Sequence, residues 1–467
     1  MDEEGINVSA DERNGAPSAG GVNRRHLLRG GMGSVAAAYA ARAQSARREA
    51  KRAPLAPTPP MGWNSWNSFA TTITEAQARE TAAIMRDKLL PFGYRIFTID
   101  IQWYEPNASS YEYSAHPEPA MDGHGRLLPA PNRFPSSAGG KGFAPLAADV
   151  HAMGLKFGIH LMRGIPRLAV KRNLPILGTP YRAADIADTT SICPWNPDMY
   201  GVDMTKPGAQ AYYDSVFALY ASWGVDFVKM DDMSRPYDAH AAEIEAAHKA
   251  IQATGRPIIL SLSPGETPVP RGEHVRQYAQ MWRISDDFWD EWHLLEAQFV
   301  RLENWNRFAG PDSWPDADML PLGRLALGAR DTKFTPDEQK TLMTLWAIAR
   351  SPLIMGGDLR HLSPETLALL TNREVLAVNQ ASTHSQPYFV ADGTHIWSAH
   401  PAAGGGLYVA LFNTTDKARE VGIGMRHLGL AGTLPVRDLW SGEALAPASG
   451  RFARTIPAHG AGLYRLG

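Results

Sequence analysis

Residues 223–232 read Trp-Gly-Val-Asp-Phe-Val-Lys-Met-Asp-Asp, a glycine-led entry into a short apolar run, Phe227 to Asp231, that ends in acids. A brief run that is largely apolar rather than strictly alternating predicts a parallel strand covered on both faces. The same form recurs at 95–100 (RIFTID), 156–161 (KFGIHL), 258–263 (IILSLS), 282–285 and 353–356. Helical patterns lie between these runs, and two have readable starts. Thr74-Glu75-Ala76-Gln77 forms a capping box ahead of an apolar stripe at Ala78, Ala82, Met85 and Leu89. Thr335-Pro336-Asp337-Glu338 forms another, with proline at the first helical position. Strand and helix alternate about eight times over residues 58–380, which predicts an α/β fold of the (β/α)8 TIM barrel type. A doubly wound sheet is the competitor, but no G-x-G-x-x-G fingerprint follows any of the strands.

Beyond residue 380 the helical period fades. Short strands at 407–412 (LYVALF), 436–440 (VRDLW) and 461–466 (AGLYRL) alternate with Gly, Pro, Asn and Asp turns. Residues 381–467 therefore read as a C-terminal antiparallel β-sandwich, whose simplest role is a lid over one face of the barrel. The N-terminal 57 residues differ from both parts. Arg24-Arg25 precedes a mildly apolar Gly/Ala stretch at 30–41 and the small-residue site Ala41-Arg42-Ala43. That arrangement resembles a twin-arginine export signal, so a periplasmic or extracellular location is expected, with 44–57 as a charged, proline-containing linker. A basic tail, or translation starting at Met32, is the plainer reading.

Composition bounds the rest. Of 467 residues, 44% are hydrophobic and 20% charged, enough for a large core. Forty-six Lys and Arg against 48 Asp and Glu leave a net charge of −2, so there is no basic field to hold a nucleic acid. The single cysteine, Cys193, rules out an intrachain disulfide and a multi-cysteine metal site. No apolar stretch approaches the ~20 residues of a membrane span.

In a barrel, chemistry gathers where the strands exit. Acids stand at several exits here: Asp100, Asp231-Asp232, Asp286-Asp287, and Asp316 with Asp318. Aspartate is a poor strand residue, so its repetition predicts an acidic bowl rather than a set of helix caps. Asp312, Asp316 and Asp318 lack the glycine and distal glutamate of a calcium loop, so no metal and no cofactor is expected. Paired carboxylates suit glycoside hydrolysis, one attacking the anomeric carbon and one supplying the proton. Trp63, Trp66, Trp103, Trp282, Trp289 and Trp314 offer apolar faces for a sugar ring, each of them equally suited to the core. Strand alternation puts Lys229 and Asp231 on one face, where an ammonium keeps a nucleophilic carboxylate ionised, and sends Asp232 away. The same rule groups Arg283, Ser285 and Asp287 with Asp286 opposite, and burial of Asp287 would raise its affinity for a proton.

These motifs together resemble glycoside hydrolase family 27. The likeness rests on Pro60-Met61-Gly62-Trp63-Asn64-Ser65-Trp66, Thr98-Ile99-Asp100 and Gly154-Leu155-Lys156-Phe157-Gly158-Ile159. It continues through Trp223-Gly224-Val225-Asp226, Lys229-x-Asp231, Asp316-Ala317-Asp318-Met319-Leu320 and the tail Pro457-Ala458-His459-Gly460. The family contains α-galactosidases, α-N-acetylgalactosaminidases and β-L-arabinopyranosidases. The resemblance implies double displacement with retention on a carbohydrate substrate, Asp231 as nucleophile and Asp287 as acid/base. It further implies sugar contacts from Trp66, Asp100, Lys229, Arg283 and Asp318, with carboxyl groups roughly 5–5.5 Å apart.

The departures bear on the substrate. Ile101 stands where α-galactosidases carry a second acid that grips the C6 hydroxyl, and β-L-arabinopyranose is α-D-galactopyranose without C6. Ser263 replaces a glutamate near O2, as a small residue does in the N-acetylgalactosaminidases. His160 stands where a tyrosine is common, and Met233 replaces a usually disulfide-bonded cysteine. The expectation is an exo-acting enzyme removing terminal α-D-galactopyranosyl or β-L-arabinopyranosyl residues. An α-N-acetylgalactosaminidase, a transglycosylase and a non-catalytic carbohydrate-binding protein on the same barrel are the alternatives.

Overall fold

A computed structural model of the chain describes residues 53–467; the arginine pair and the expected signal lie outside the described residues. Eight parallel strands form the barrel wall: β1 Met61–Asn64, β2 Ile96–Ile99, β3 Lys156–Met162, β4 Phe227–Asp231, β5 Ile259–Leu262, β6 Met281–Arg283, β7 Trp314–Asp316 and β8 Leu353–Met355. From β1 to β7 each strand pairs with the next, β8 pairs with β1, and the isolated Leu320–Met355 bridge closes the ring between β7 and β8. The main outer helices are α1 Glu75–Lys88, α2 Ala144–Ala152, α3 Ala209–Ser222, α4 Tyr237–Thr254, α5 Gly272–Tyr278, α6 Trp292–Trp305 and α7 Pro336–Ala349.

The helix starts follow their sequence signals. Thr74 and Thr335 each close a reciprocal capping box, with Gln77 and Glu338, which satisfies backbone N–H groups otherwise orphaned at α1 and α7. The bottom of the barrel is sealed by an apolar plug. Ala56 packs with Ile96, Phe227, Ile259, Met281 and Trp314, and its carbonyl accepts from the Trp314 indole at 2.8 Å. Residues 54–57, read from sequence as the end of a linker, are therefore part of the barrel floor.

The antiparallel domain contains eight strands: β9 Ser382–Ala391, β10 Thr394–Pro401, β11 Leu407–Asn413, β12 Arg419–Gly424, β13 Thr433–Asp438, β14 Ala444–Ser449, β15 Arg451–Ile456 and β16 Ala461–Leu466. They run in the order β9-β10-β11-β16-β13-β14-β15-β12, and the sheet folds over a second core built on Val409, Leu411, Val421, Phe452 and Leu466. This domain is not a lid. It docks on the helical shell, and no residue beyond 380 lines the large cavity at the barrel mouth. α7 presents an apolar and hydroxyl-bearing face to it, since Thr341 donates to the His459 carbonyl at 2.6 Å and Thr344 accepts from the Trp440 indole at 2.9 Å. His459 lies flat on Trp292 of α6, ring centroids 3.8 Å apart, and pairs with Glu338 and Asp416. The tail motif Pro457–Gly460 thus serves docking.

The Met61-Gly62-Trp63 run shows why a glycine sits inside a strand. A Cβ on Gly62 would lie far inside van der Waals contact of the Ile96 carbonyl oxygen, where β1 and β2 approach each other. Gly62→Ala is expected to lower unfolding stability by about 1–3 kcal/mol as the two strands are pushed apart. Denaturant unfolding matching the wild type would show that the sheet absorbs the methyl group.

Candidate active site

The strand exits converge on a cavity of about 500 Å³ at the C-terminal end of the barrel. Trp66, Asp100, Ile101, Lys229, Ser263 and both proposed catalytic acids, Asp231 and Asp287, line it. Tyr113, Trp195 and Arg235 contribute from loops, and Asp232 and Asp286 also reach its wall.

The Asn64-Ser65-Trp66 turn that ends β1 is a device for holding Asp100. Asn64 donates to Asp100 Oδ2 at 2.6 Å, Ser65 Oγ accepts from the Asp100 amide at 2.9 Å, and Asn64 Oδ1 caps the Trp66 amide. Lys229 Nζ, arriving from β4, donates to the same Oδ2 at 2.9 Å, and the Ile101 amide takes Oδ1. Burial opposes the charge of Asp100, but the Lys229 ammonium and these hydrogen bonds outweigh it and hold the carboxyl below its ordinary range. Lys229 is held cationic in return: burial disfavours its charge, and Asp100 and Asp231 more than compensate.

Asp231 is where the alternation rule places it, but its direct partner differs from the expected one. His160 Nε2 on neighbouring β3 pairs with Asp231 Oδ2 at 2.8 Å, while the Asp232 amide donates to Oδ1 at 2.8 Å. Burial pushes the Asp231 carboxyl up, and the hydrogen bond and field of His160 with the charge of Lys229 pull it below its ordinary value. His160, expected from sequence to contact substrate, is fully buried and does not line the cavity; what the structure shows it doing is supporting the Asp231 carboxylate.

Alternation fails past the strand ends. Asp232 adopts φ +60°, reaches the cavity, and is gripped by Arg163 at 2.8 Å. Arg163 is buried, also binds Glu243 at 2.7 Å, and hangs from the Asp231 carbonyl through its own amide at 3.0 Å. The Met162-Arg163-Gly164 run is thus a buried brace behind the end of β4. On β6 the pleat stops at Arg283, so Asp286 and Asp287 belong to a loop, and both line the cavity. Asp286 pairs with Arg235 at the rim. The expected burial of Asp287 is not found: its side chain is 51% exposed, 3.3 Å from Arg283.

Arg283 and Asp318 lie below the large cavity, 2.8 Å apart, beside a small void they share with Lys229, Ser263 and Asp316. Neither lines the large cavity. The Phe288 and Met319 amides fix the two oxygens of Asp318, whose φ of +83° is held by these bonds. Of the six tryptophans, Trp63, Trp103, Trp282 and Trp314 are core, Trp289 packs edge-on to Tyr111, and Trp66 alone faces the cavity. Sequence reasoning missed Tyr113, Trp195 and Arg235, which lie on irregular loops without periodicity; only their position after strand exits could have marked them. Among the described residues no group of three His, Cys, Asp or Glu side chains is placed to hold a metal ion, and no helix is long and apolar enough to cross a membrane.

Carboxylates held at different depths around a cavity of about 500 Å³, beside an indole, are the equipment of a glycoside hydrolase. Two family models match the chain: "Alpha galactosidase A" over residues 198–381 and "Alpha galactosidase C-terminal beta sandwich domain" over 391–466. Alpha-galactosidase 3 of Arabidopsis thaliana is 30% identical over 407 residues, 85% of this chain and 79% of its own length. A β-L-arabinopyranosidase of Geobacillus stearothermophilus is 49% identical with a TM-score of 0.87, covering 88% of this chain and 97% of its own, and a variant of it has been solved with arabinose bound. A putative α-N-acetylgalactosaminidase of Bacillus halodurans is 44% identical with a TM-score of 0.79, covering 89% and 98%. The chain belongs to glycoside hydrolase family 27, and the protein is a retaining glycosidase.

Asp316, on the floor, gives a pH test. Burial and the neighbouring Asp318 push its carboxyl up to about 7. The native state then holds a proton that the unfolded chain releases near pH 4, so this group's contribution to stability falls as pH rises from about 4 to 7. Asp316→Asn removes the titration and can keep the bond from the Asp318 amide at 3.0 Å. Urea unfolding is expected to show the stability difference moving in the variant's favour between pH 5 and 8; a pH-independent difference would show that Asp316 is ionised throughout.

Proposed function

We propose that the protein releases terminal β-L-arabinopyranosyl residues in preference to α-D-galactopyranosyl residues. The observation that carries this reading is Ile101, buried on the cavity wall immediately after Asp100. A galactosyl C6 hydroxyl facing it would lose water without gaining a partner, at a cost of about 1–3 kcal/mol. A pentopyranose presents hydrogen there. The relative solved with arabinose bound supports the same reading.

In this reading Asp231 attacks C1 while Asp287 protonates the departing oxygen, and Asp287 then takes a proton from the water that frees the sugar. A carboxylate held ionised by His160 and Lys229 is suited to attack. A carboxyl group at the exposed mouth has access to the leaving group and to water. The acidic cavity stabilises the positive charge that develops on the sugar ring.

One observation favours a second substrate. Ser263 is small, lines the cavity, and its hydroxyl has no partner among the described residues, leaving room for a 2-acetamido group. Matched nitrophenyl β-L-arabinopyranoside, α-D-galactopyranoside and α-N-acetylgalactosaminide separate the readings, and product analysis at high sugar concentration separates hydrolysis from transglycosylation. The pentoside is expected to be cleaved best, and Ile101→Asp is expected to move the ratio toward galactoside by about 10- to 100-fold. Asp231→Ala is expected to abolish turnover of all three. An unchanged ratio would mean that Ile101 does not face C6.

We also propose export. The support is the Arg24-Arg25 pair ahead of a Gly/Ala stretch. Replacing both with lysine is expected to retain the protein inside the producing cell; undiminished export would discard the twin-arginine reading.

A further inference from the structure

The cavity is rich in acceptors and poor in donors. Asp100, Asp231, Asp232, Asp286 and Asp287 line it, against Lys229 and Arg235 as cations, and Arg235 is occupied by Asp286. A sugar hydroxyl can donate to any of these carboxylates, but the lone pairs of its oxygens then need protein donors. Tyr113 supplies one. Its side chain lines the cavity and its hydroxyl makes no hydrogen bond among the described residues.

The ring is held firmly for a loop residue. It stacks on Trp66 at 6.4 Å and 9° and meets Trp195 at 5.6 Å. Two residues earlier, Tyr111 donates to the Asn67 carbonyl at 2.9 Å and sets its edge against Trp66 at 5.4 Å. Glu105 closes the base of the same loop by accepting from the Asn107 and Glu118 amides, both at 3.1 Å. Trp195 is fixed to that loop from the other side, because Asp198 accepts from Gln102 and Tyr104, both at 2.6 Å. Burial and the surrounding charges of Asp231, Asp100 and Asp287 push the phenol up, so it stays protonated and remains a donor across the working pH range.

We propose that Tyr113 is a sugar-binding residue, whose hydroxyl donates to an oxygen of the pyranose bound between Asp100, Asp231 and Asp287 while its ring joins Trp66 and Trp195 as the wall of the subsite. Facing the cavity and engaged by no protein group among the described residues, the hydroxyl is free to donate to a substrate oxygen without breaking a bond inside the protein. The inference rests on the pyranosidase reading above.

The test compares wild type with Tyr113→Phe, which keeps the ring and its stacking and removes only the hydroxyl. The expected result, on the arabinopyranoside and the galactoside alike, is a KM raised about five- to tenfold with kcat changed far less, together with a similar loss of affinity for free L-arabinose. The thermal midpoint is expected to stay at the wild-type value. Unchanged KM and arabinose affinity would overturn the proposal. So would a lowered midpoint with arabinose affinity intact, because the hydroxyl would then be serving the loop. Failure of the substrate reading shows instead in the wild type, as absent hydrolysis of both pyranosides.

Discussion

The pair Lys229–Asp100 is the constraint around which the mouth of the barrel is arranged. It joins β4 to β2 across the intervening β3, with Asp100 1% exposed. Burying two charges is costly, and mutual attraction offsets that cost only when the remaining valences are filled. They are filled here by the β1 turn: Asn64 on one carboxylate oxygen, the Ile101 amide on the other, Ser65 behind the backbone. The sequence Asn-Ser-Trp after β1 therefore has one physical task with two results, a fixed carboxylate and an indole face beside it. Loss of either charge would leave the other stranded at the base of the cavity.

From that pair outward, neutralisation becomes less complete toward solvent. Asp231 is enclosed and answered by His160 and Lys229; Asp232 is braced by Arg163; Asp287 stands half in water with Arg283 at 3.3 Å. Below them burial dominates, and Asp316 retains its proton more readily than an exposed aspartate. Different depths in one acidic bowl give chemically different carboxyl groups, which is how a double displacement distributes attack and proton transfer between two residues of the same type.

How much of this was legible in the sequence depended on whether a regular period governed the residue. Parallel strands with acids at their exits, the two capping boxes and the parity of Lys229 with Asp231 all follow from repeats of 2 or 3.6 residues, and the structure carries them. The errors begin where the period stops. β6 ends at Arg283, so alternation could not place Asp286 and Asp287, and Asp232 turns into a left-handed conformation one residue past β4. The His160–Asp231 pair joins adjacent strands at a register that no single-strand pattern contains. Tyr113 and Trp195 come from loops joined through Asp198, a long-range link with no local signature. The lid assigned to the C-terminal domain failed for a related reason: the docking face is set by Thr341, Thr344 and Trp292, spaced on helices whose outward side looked ordinary.

Specificity in such a site is decided by what is missing as much as by what is present. A carboxylate at position 101 would reward a C6 hydroxyl but would add another buried negative charge beside Asp100, whose own charge already consumes the bonds of Lys229 and Asn64. Isoleucine removes that demand and, in the proposed pose, would reject the hydroxyl by refusing it a partner, an apolar wall acting as a filter. The filter is asymmetric. In the proposed pose a pentose would lose nothing against Ile101, whereas a hexose would give up solvent at one oxygen while keeping the rest of its surroundings in the cavity. Discrimination by one unpaired hydroxyl amounts to a few kcal/mol at most, so an enzyme built this way prefers the pentoside without excluding the hexoside. Under the proposed reading, dual activity would follow from the geometry of one site and need no second one.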